Sequence, residues 1–525
     1  MERDSCFQWH REDAVRAEGD LAHGTGYCQC FGEHTRSTCE RALSRWQQKG
    51  NDNMNAIKEL SESQIEKIHH EAENLLAHTG FRVKHEEVLR RARAAGAHVD
   101  EAEQIVRIPT PLLRELLAQV PSSYEAKGLN ETSYTIGGGE QHSLAIVTDP
   151  WIIDYKTQRP RRPCLEDVRR HTIIAQKLDT VAGISRMDFP VTDCSDETSS
   201  LRALETHLLN HTKHYTILPA SLESFAQWLD IGKILAQGKE LAGSKLMTIG
   251  VAVVSPLTLT GLNGNLLLSA CAHGFTIVPT ICPMSGSTAP YTIASTLLLG
   301  HTENLFMAAL TQIVNPGNPF QYAMGASVTN MQAGYDMYYT LDKVLWKMAS
   351  VQLARKIRIP VFAECGGTMT YRYDQQNGAE GMIFMLSAHA SGADILAGIG
   401  STHNANGMSA EMMLIQTAWL EAAKYLRQGI NTDALHLGVE NIRSAGPGGE
   451  FLTDDLTLKY MRGGEFFAND LLDLSGGHED GPSILERAHD RAEEMVSGYE
   501  SPVPGQVQED LRKYFHDEYR KITAH

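Results

Sequence analysis

Short apolar runs alternate with longer stretches of helical periodicity through the middle of the chain. The runs are Val181–Arg186, Tyr215–Leu218, Leu246–Val254, Thr276–Val278, Phe320–Gly325, Pro360–Ala363 and Ile395–Gly400. Their nearly continuous apolar character indicates strands buried on both faces, which is typical of a parallel sheet. Their centres lie roughly 30 to 45 residues apart, the length of one strand plus one helix. The pattern predicts an α/β fold, a (β/α)8 TIM-type barrel, whose eighth strand lies before residue 181 or after residue 430.

The segments on either side of this alternation have other patterns. Ser61 and Gln64 form a capping-box signature, and the apolar residues after them predict a helix that ends at Gly80. Turn residues separate two apolar runs within 131–160 and predict β-hairpins there. The other expected elements are helices at Glu86–Ala95, Pro111–Gln119, Met408–Arg427, Thr432–Arg443, Ser483–Val496 and Gln506–Thr523, and hairpin strands at Ser143–Thr148 and Trp151–Tyr155.

Four segments follow from these patterns. Residues 54–160 form a helical and β-hairpin lead-in, 161–430 the barrel, and 431–525 a C-terminal helical appendage. Residues 1–53 are polar and lack a sustained apolar period, so we expect either a disordered extension or upstream sequence read through from a start codon placed too early. Their cysteines and His34 match no common zinc-ligand spacing.

The formal net charge of −17 argues against nucleic acid or an anionic membrane as a partner, because both require a basic surface. No apolar run reaches the roughly 18 uncharged residues of a membrane span. The first residues contain no apolar signal region, and the cysteines of the body have the scattered distribution of reduced thiols. We therefore expect a cytoplasmic protein.

In a barrel of this type the active site lies where the strands end, and the sixth predicted strand has the richest continuation. The chain breaks at Gly366 and Gly367, presents Tyr371, Arg372 and Tyr373, and begins a helix near Asp374. The strand ends carry no cluster of metal ligands and no Gly-x-Ser-x-Gly elbow. An acid–base pair of Asp188 and Glu364, or a nucleophilic Cys365, remains open.

Several segments resemble, in order and spacing, the trimethylamine methyltransferase family of corrinoid-dependent enzymes. They are Arg161-Arg162-Pro163 with Leu165–Arg169, Ser255-Pro256-Leu257, Pro283–Pro290, Asn315-Pro316-Gly317 and Gly446–Leu452 with Thr457-Leu458-Lys459. The resemblance extends from about residue 60 to 520 and implies a barrel that moves a methyl group from a methylamine to the Co(I) of a separate corrinoid protein. It also implies a homo-oligomer and no metal bound by the chain itself.

Founding members carry pyrrolysine in the loop after the sixth strand, and this chain departs from them there. Asp374–Gly378 aligns with the stretch that follows pyrrolysine, while ordinary Tyr371, Arg372 and Tyr373 precede it. The chain therefore resembles the non-pyrrolysine branch, for which quaternary amines such as glycine betaine, proline betaine, carnitine or butyrobetaine are the expected substrates. Such an amine leaves as a neutral tertiary amine, so the departing group requires no proton.

Recognition of a quaternary ammonium requires aromatic faces, and a substrate carboxylate requires a donor. The expected substrate contacts are Tyr371, Tyr373, Tyr322, Phe189 and Trp151, with Glu364, and Arg372 as the donor. The expected corrin contacts, implied by the resemblance, are His403, Asn404, Gly366 and Gly367. The rival hypotheses are a barrel enzyme that uses Asp188, Glu364 or Cys365, and a betaine-binding protein without transfer activity.

Overall fold

A computed structural model describes residues 59–129, 133–186, 189–194, 196–461, 463, 465–477 and 481–523, which fall within one compact unit, Ala56–His525. The extension predicted for 1–53 lies outside the described residues. Within them, no helix is both long enough and apolar enough to cross a bilayer.

The lead-in begins with the predicted capped helix. Helix α1 (Glu62–His78) has Ser61 as its N-cap, and the reciprocal bonds between Ser61 and Gln64 complete the capping box. The remaining lead-in elements are β1 (Phe81–Val83), α2 (Glu86–Ala94), β2 (His98–Asp100), β3 (Ile105–Arg107) and α3 (Thr110–Ala118). Helices α2 and α3 lie where the sequence predicts them, and the strands form a small sheet between the helices and the barrel.

Seven strands form one parallel sheet, in the order β13-β11-β10-β9-β6-β18-β17. They are β6 (His142–Ile146), β9 (Val181–Arg186), β10 (His214–Ile217), β11 (Met247–Ala252), β13 (Thr276–Thr280), β17 (Phe362–Glu364) and β18 (Ile395–Ile399). The segment 320–322 pairs in parallel with both edges, through Ile277↔Phe320 and Tyr322↔Val361. These two bridges close the ring of eight strands, and the predicted (β/α)8 barrel is confirmed.

The eighth strand, left open by the sequence, is β6, which precedes the segment 161–430 predicted for the barrel. It pairs in parallel with β9 and β18. The hairpin expected between Ser143–Thr148 and Trp151–Tyr155 is therefore wrong. Instead β7 (Trp151–Asp154) turns back on β8 (Arg159–Arg161), as the turn at Lys156–Arg159 indicates.

A second hairpin closes the N-terminal end of the barrel. Strands β4 (Tyr124–Lys127) and β5 (Ser133–Ile136) pair antiparallel, and their apolar side chains pack against Leu144, Ile395 and Ala397. The Tyr124 hydroxyl donates to Gln321 Oε1 at 2.7 Å in a buried position. We call this hairpin the plug. Barrel-strand residues that contact the plug face the lumen. Because side chains alternate along a strand, every second residue from such a contact also faces the lumen, and the residues between them face the helices.

The helices of the barrel and several short strands surround this sheet. The helices are α4 (Leu165–Lys177), α5 (Asp196–Leu208), α6 (Leu222–Leu235), α7 (Gly261–Ala272), α8 (Ile293–Val314), α9 (Asp342–Lys356), α10 (Gln375–Ser391) and α11 (Ala410–Gln428). The short strands are β12 (Thr258–Leu259), β14 (Met284–Ser285), β15 (Ser327–Thr329), β16 (Asp336–Met337), β19 (Ser401–Thr402) and β20 (Gly407–Met408). Most of these short strands lie at the C-terminal rim.

The C-terminal appendage is helical, as predicted. Its helices are α12 (Ala434–Leu437), α13 (Val439–Ala445), α14 (Asp455–Tyr460), α15 (Ile484–Val496) and α16 (Gly505–Thr523). The single helix expected over Thr432–Arg443 is interrupted at Gly438, whose positive φ of 55° ends α12.

Stability should fall with rising pH because of Glu303, a buried carboxyl on α8. It accepts bonds of 2.8 Å from the Ser255 hydroxyl and the Leu257 amide, yet burial raises its pKa from 4.5 to about 7. A raised acid pKa stabilises the fold fully below pH 4.5, and this contribution is lost as pH rises to 7. It amounts to on the order of 3 kcal/mol.

Urea titrations of wild type and Glu303→Gln from pH 4.5 to 7.5 measure this difference. We expect the unfolding free energy of wild type to fall by about 3 kcal/mol relative to the variant across that range. The exposed substitution Glu103→Gln is the control and should run parallel to wild type. Parallel curves for Glu303→Gln as well would contradict the assignment.

Candidate functional site

Three polar side chains converge on Gly325 at the C-terminal end of the barrel lumen. Gly325 shares the inward face of its strand with Gln321, which contacts the plug. A Cβ at position 325 would overlap the Tyr338 hydroxyl and would lie 3.0 Å from Cys282 Sγ and 3.4 Å from Glu364 Oε1. Only glycine allows this approach.

Glu364 ends β17 and is 7% exposed. Its Oε1 accepts a bond from the Tyr338 hydroxyl and lies 3.5 Å from the Lys343 ammonium. Burial, and then the Glu364 charge, hold the pKa of Tyr338 well above its usual value, so this phenol is a hydrogen-bond donor at neutral pH. Glu364 is thus fixed in orientation by a neutral donor and a cation.

Two buried lysines of α9 stand behind this carboxylate. Lys343 Nζ donates to the Ala326 carbonyl at 3.0 Å and lies 3.2 Å from the Tyr338 ring centroid. Lys347 Nζ donates to the main-chain carbonyl of Glu364 at 2.9 Å, and burial lowers its pKa to about 7. Because both amino groups donate to internal carbonyls, neither is available to a ligand.

The predicted Tyr371 and His403 meet at the rim. The Tyr371 ring lies edge-on to the His403 ring, with centroids 5.4 Å apart and planes at 88°. Arg159 Nη1 donates to the Tyr371 hydroxyl at 2.9 Å. Partial burial lowers the pKa of His403, so a neutral, half-buried imidazole stands at the rim at pH 7.

His403 begins an unusual left-handed turn in which Asn404 connects two loops. His403, Asn404 and Ala405 have φ values of 51°, 56° and 59°. Asn404 Oδ1 accepts from the Tyr338 amide at 2.6 Å, and its Nδ2 donates to the Asp336 carbonyl at 2.7 Å. Both ends of this amide are occupied by main-chain groups, so Asn404 acts as a spacer between loops in the structure.

Packing requires glycine at positions 366 and 367, which the sequence alone does not reveal. A Cβ on Gly366 would overlap the Gly398 carbonyl, and a Cβ on Gly367 would overlap the Tyr339 ring. Gly367 also has φ 120°, where side chains are rarely tolerated. Packing inside the protein therefore requires glycine at both positions, and the corrin contact expected there stays a prediction.

Two more predicted aromatic contacts, Tyr322 and Tyr373, are hydrogen-bonded to neighbouring helices or to the residues at their starts. Tyr322 is fully buried on the side of its strand opposite to Gln321, and its hydroxyl lies 3.0 Å from His301 Nδ1 of α8. The expectation that Tyr322 contacts substrate is corrected on this ground, because its ring lies between the sheet and a helix. Tyr373 donates to Ser409 Oγ at 2.8 Å at the start of α11.

The other predicted contacts are dispersed around the rim. The Arg162 guanidinium covers the Trp151 ring at 4.1 Å from its centroid. Arg372 is exposed and forms a 2.7 Å ion pair with Asp374, which caps α10. Phe189 is half-buried after β9, and Asp188 lies outside the described residues.

Asp149, which the sequence analysis missed, is a buried acid just beyond β6. It is 5% exposed, its Oδ2 has no hydrogen-bond partner, and burial holds its pKa well above the usual value. Tyr338 and Lys343 were missed because they belong to the loop before α9 and to α9 itself.

Neither cysteine near Glu364 is a thiolate at neutral pH. Cys365 is fully buried, and burial raises its pKa to about 12, so the thiolate is absent at neutral pH. Cys282 is exposed to the mouth, but surrounding protein raises its pKa to about 12 as well. Across the described ranges, no group of three or more potential ligands could hold a metal ion.

The sequence matches the model of one protein family over residues 32–522, and the description of that family is trimethylamine methyltransferase (MTTB). The chain belongs to this family. It is a methyltransferase, as the sequence resemblance implies, and the match covers the lead-in, the barrel and the appendage.

Individual members of the MTTB family and a related structure are also similar. A glycine betaine methyltransferase of Desulfitobacterium hafniense (strain Y51) is 25% identical over 451 residues, 84% of this chain and 93% of that protein. The trimethylamine methyltransferase MttB of Desulfitobacterium hafniense (strain DSM 10664 / DCB-2) is 23% identical over 463 residues, covering 86% and 92%. The monomethylamine methyltransferase MtmB of Methanosarcina barkeri has a TM-score of 0.45 at 12% identity, covering 87% and 92%.

Gly325→Ala tests the close approach of Tyr338 and Glu364 to Gly325. The new Cβ should displace the Tyr338 hydroxyl from Glu364 and lower the unfolding free energy by about 1–3 kcal/mol. Removing the hydroxyl with Tyr338→Phe in the same chain should restore part of that loss. Chemical denaturation measures both, and Gly378→Ala in α10 is the control: no atom lies within 4 Å of the new Cβ, so it should cost nothing and gain up to about 1 kcal/mol from helix propensity. Strict additivity of the two changes would contradict the contact.

Proposed function

We propose that this methyltransferase takes a methyl group from a quaternary amine of the betaine type and passes it to the Co(I) centre of a separate corrinoid protein. The similarity to proteins named for glycine betaine and trimethylamine supports a methylated amine as the donor. The ordinary residues Tyr371 to Tyr373, at the place of pyrrolysine in founding members, favour a quaternary amine.

The observation that carries the proposal is the carboxylate of Glu364 at the top of the lumen. It stands beside a phenol and a neutral thiol, while the neighbouring ammonium groups of Lys343 and Lys347 are buried and bonded to carbonyls. Within the lumen, Glu364 is therefore the charged group that a ligand can reach, because both lysines are bonded to carbonyls. Such an environment attracts a positively charged head group and repels an anionic one.

Aromatic faces support the same class of ligand. One face of the Tyr338 ring binds the Lys343 ammonium, 3.2 Å from its centroid, which leaves only the opposite face for a ligand. Tyr371 and His403 add a second aromatic pair at the rim. A quaternary ammonium cannot donate hydrogen bonds, and rings and carboxylates are the groups that stabilise it.

Arginines at the rim suit the other end of a betaine. Arg159 reaches the Tyr371 hydroxyl, and exposed Arg372 pairs with Asp374 in the same loop. A guanidinium binds a carboxylate in bidentate fashion, so an exchange of partner from Asp374 to substrate is chemically matched. The proposed pose has the ammonium near Glu364 and the carboxylate towards these arginines.

His403 fits a corrin contact at the rim, whereas the amide of Asn404 is occupied. Co(I) of the corrinoid supplies the nucleophile. The chain has to orient the amine, exclude water and hold the methyl group in line with the cobalt. A quaternary nitrogen leaves as a neutral amine, so no residue of the chain has to deliver a proton.

The central test is methyl transfer by the purified chain to a Co(I) corrinoid protein, followed by the absorbance change at cobalt. We expect a signal with a betaine and a rise of at least tenfold in the KM for it in Glu364→Gln, because the lumen loses its negative charge. Exposed Glu103→Gln is the matched control, and thermal melts verify folding.

Other outcomes distinguish the rivals. Methyl transfer from trimethylamine but from no quaternary amine would contradict the proposed substrate class. Binding of a betaine without methyl transfer would favour a binding protein. A more than hundredfold loss of the methyl-transfer rate in a folded Cys365→Ala variant would support a nucleophilic thiol. The buried, protonated Cys365 predicts no such loss.

The His403→Ala variant separates the corrinoid from the amine. We expect at least a tenfold loss of transfer rate at fixed corrinoid protein, while the dissociation constant for the amine, measured by calorimetry, changes less than twofold. His98→Ala, on an exposed strand residue of the lead-in, is the control. Weakened amine binding with an unchanged dependence on corrinoid protein would assign His403 to the substrate instead.

A further inference from the structure

One histidine connects the appendage helix α15 to the rim of the barrel. His489 Nδ1 donates to Glu411 Oε1 of α11 at 2.9 Å. The His489 ring also stacks on the ring of Tyr155, with centroids 3.5 Å apart and planes at 6°. Tyr155 directly follows β7 and begins the turn of the β7–β8 hairpin. A single side chain of the appendage therefore contacts both a barrel helix and a hairpin of the rim.

Glu411 is a buried carboxylate whose two oxygens have different partners. It is 3% exposed. Oε1 accepts from His489 and, at 3.3 Å, from Arg170 Nη2 of α4, and Arg170 also pairs with Glu493 of α15. Oε2 accepts from the Ser409 hydroxyl at 3.0 Å. Two barrel helices and the appendage are thus linked to Ser409, which is the N-cap of α11.

The hydrogen bonds continue from Ser409 into the loop after the sixth strand. Because a carboxylate only accepts, Ser409 gives its proton to Glu411, and its oxygen accepts from the Tyr373 hydroxyl at 2.8 Å. Burial, and then the Glu411 charge, hold the pKa of Tyr373 above its usual value, so the phenol is a donor at neutral pH. Each hydrogen bond from Tyr373 to Glu411 therefore has a fixed direction, and the Tyr373 ring has a fixed orientation.

The hairpin connects α15 to the same loop by a second route. Arg159 at the start of β8 donates to the Tyr371 hydroxyl at 2.9 Å, while Tyr155 on the other side of the turn is stacked on His489. The loop that carries Tyr371 is therefore held at both ends of its aromatic pair, once through α11 and once through the hairpin, and both routes meet at the same imidazole.

We propose that His489 of the appendage is a positioning residue for methyl transfer. Through Glu411 and Ser409 it fixes Tyr373, and with it the loop that presents Tyr371 to the amine. A loop that is ordered before the ligand arrives loses less conformational entropy on binding, so binding is tighter. The proposal rests on the proposed function, because it requires that this loop contacts the substrate.

Two substitutions separate the two contacts of the imidazole. His489→Phe keeps a ring for stacking but removes the donor to Glu411, whereas His489→Asn keeps a donor near the position of Nδ1. We expect the KM for a betaine to rise about tenfold in His489→Phe and less than about threefold in His489→Asn, with kcat changed less than about twofold in both. His516→Phe, at an exposed histidine of α16, is the matched control and should keep the KM of wild type.

A double-mutant cycle tests the connection itself. Tyr373→Phe removes the hydroxyl at the other end of the hydrogen-bonded chain, so in that background His489→Phe should raise the KM no further. Independent, multiplicative effects of the two substitutions on KM would overturn the proposed connection.

Hydrogen exchange of the free enzyme, followed by mass spectrometry, tests the same connection without substrate. Amides of residues 368–374 should exchange about fivefold faster in His489→Phe than in wild type, and His516→Phe should match wild type. Faster exchange of the loop in a chain whose wild type transfers no methyl group would contradict the proposed function while confirming that His489 orders the loop. Unchanged exchange and unchanged KM in folded His489→Phe would overturn the positioning role, because the histidine would then only stabilise the fold.

Discussion

Compensation of buried charge around Glu364 is the constraint on which the mouth of the barrel depends. Lys343 and Lys347 are 1% and 2% exposed, and isolated ammonium groups at such depth would be strongly unfavourable. Carbonyls of Ala326, Glu364 and Phe384 accept hydrogen bonds from the two lysines, and the Glu364 carboxylate balances the charge of Lys343, the nearer one. These bonds connect α9 to the strand end at residue 326, to β17 and to α10. Glu364, which is proposed to contact the substrate, therefore also holds the barrel mouth together.

The fold could be predicted because parallel strands buried on both faces produce apolar runs, and helices between them set the spacing. Strand β6 was not recognised as a barrel strand, because Trp151–Asp154 follows its apolar run closely and gives the sequence spacing of a hairpin. Pairing between residues far apart in sequence, here His142 with Ile395 and Ser143 with Val181, separates the two interpretations, and periodicity does not contain it.

The candidate site was only partly predictable. Glu364 could be found because strand ends form the active site of such a barrel, whereas Tyr338 and Lys343 reach the same point from a loop and a helix. Tyr322 was misassigned because residue type was considered without the in–out register of its strand. Its neighbour Gln321 contacts the plug, so Tyr322 faces α8, and the register becomes visible only once that contact is known.

The hairpin of β4 and β5 fills the N-terminal end of the barrel, where Tyr124 and its apolar neighbours pack. The C-terminal rim, where Tyr371 and His403 lie, is then the end of the lumen that remains for a ligand to use. A macromolecule bound to that rim would close the lumen. Under the proposed function the reaction then has a compulsory order: the amine binds first, the carrier docks second, and the demethylated amine departs after the carrier. A carrier present in excess would act as an inhibitor by occupying the empty enzyme.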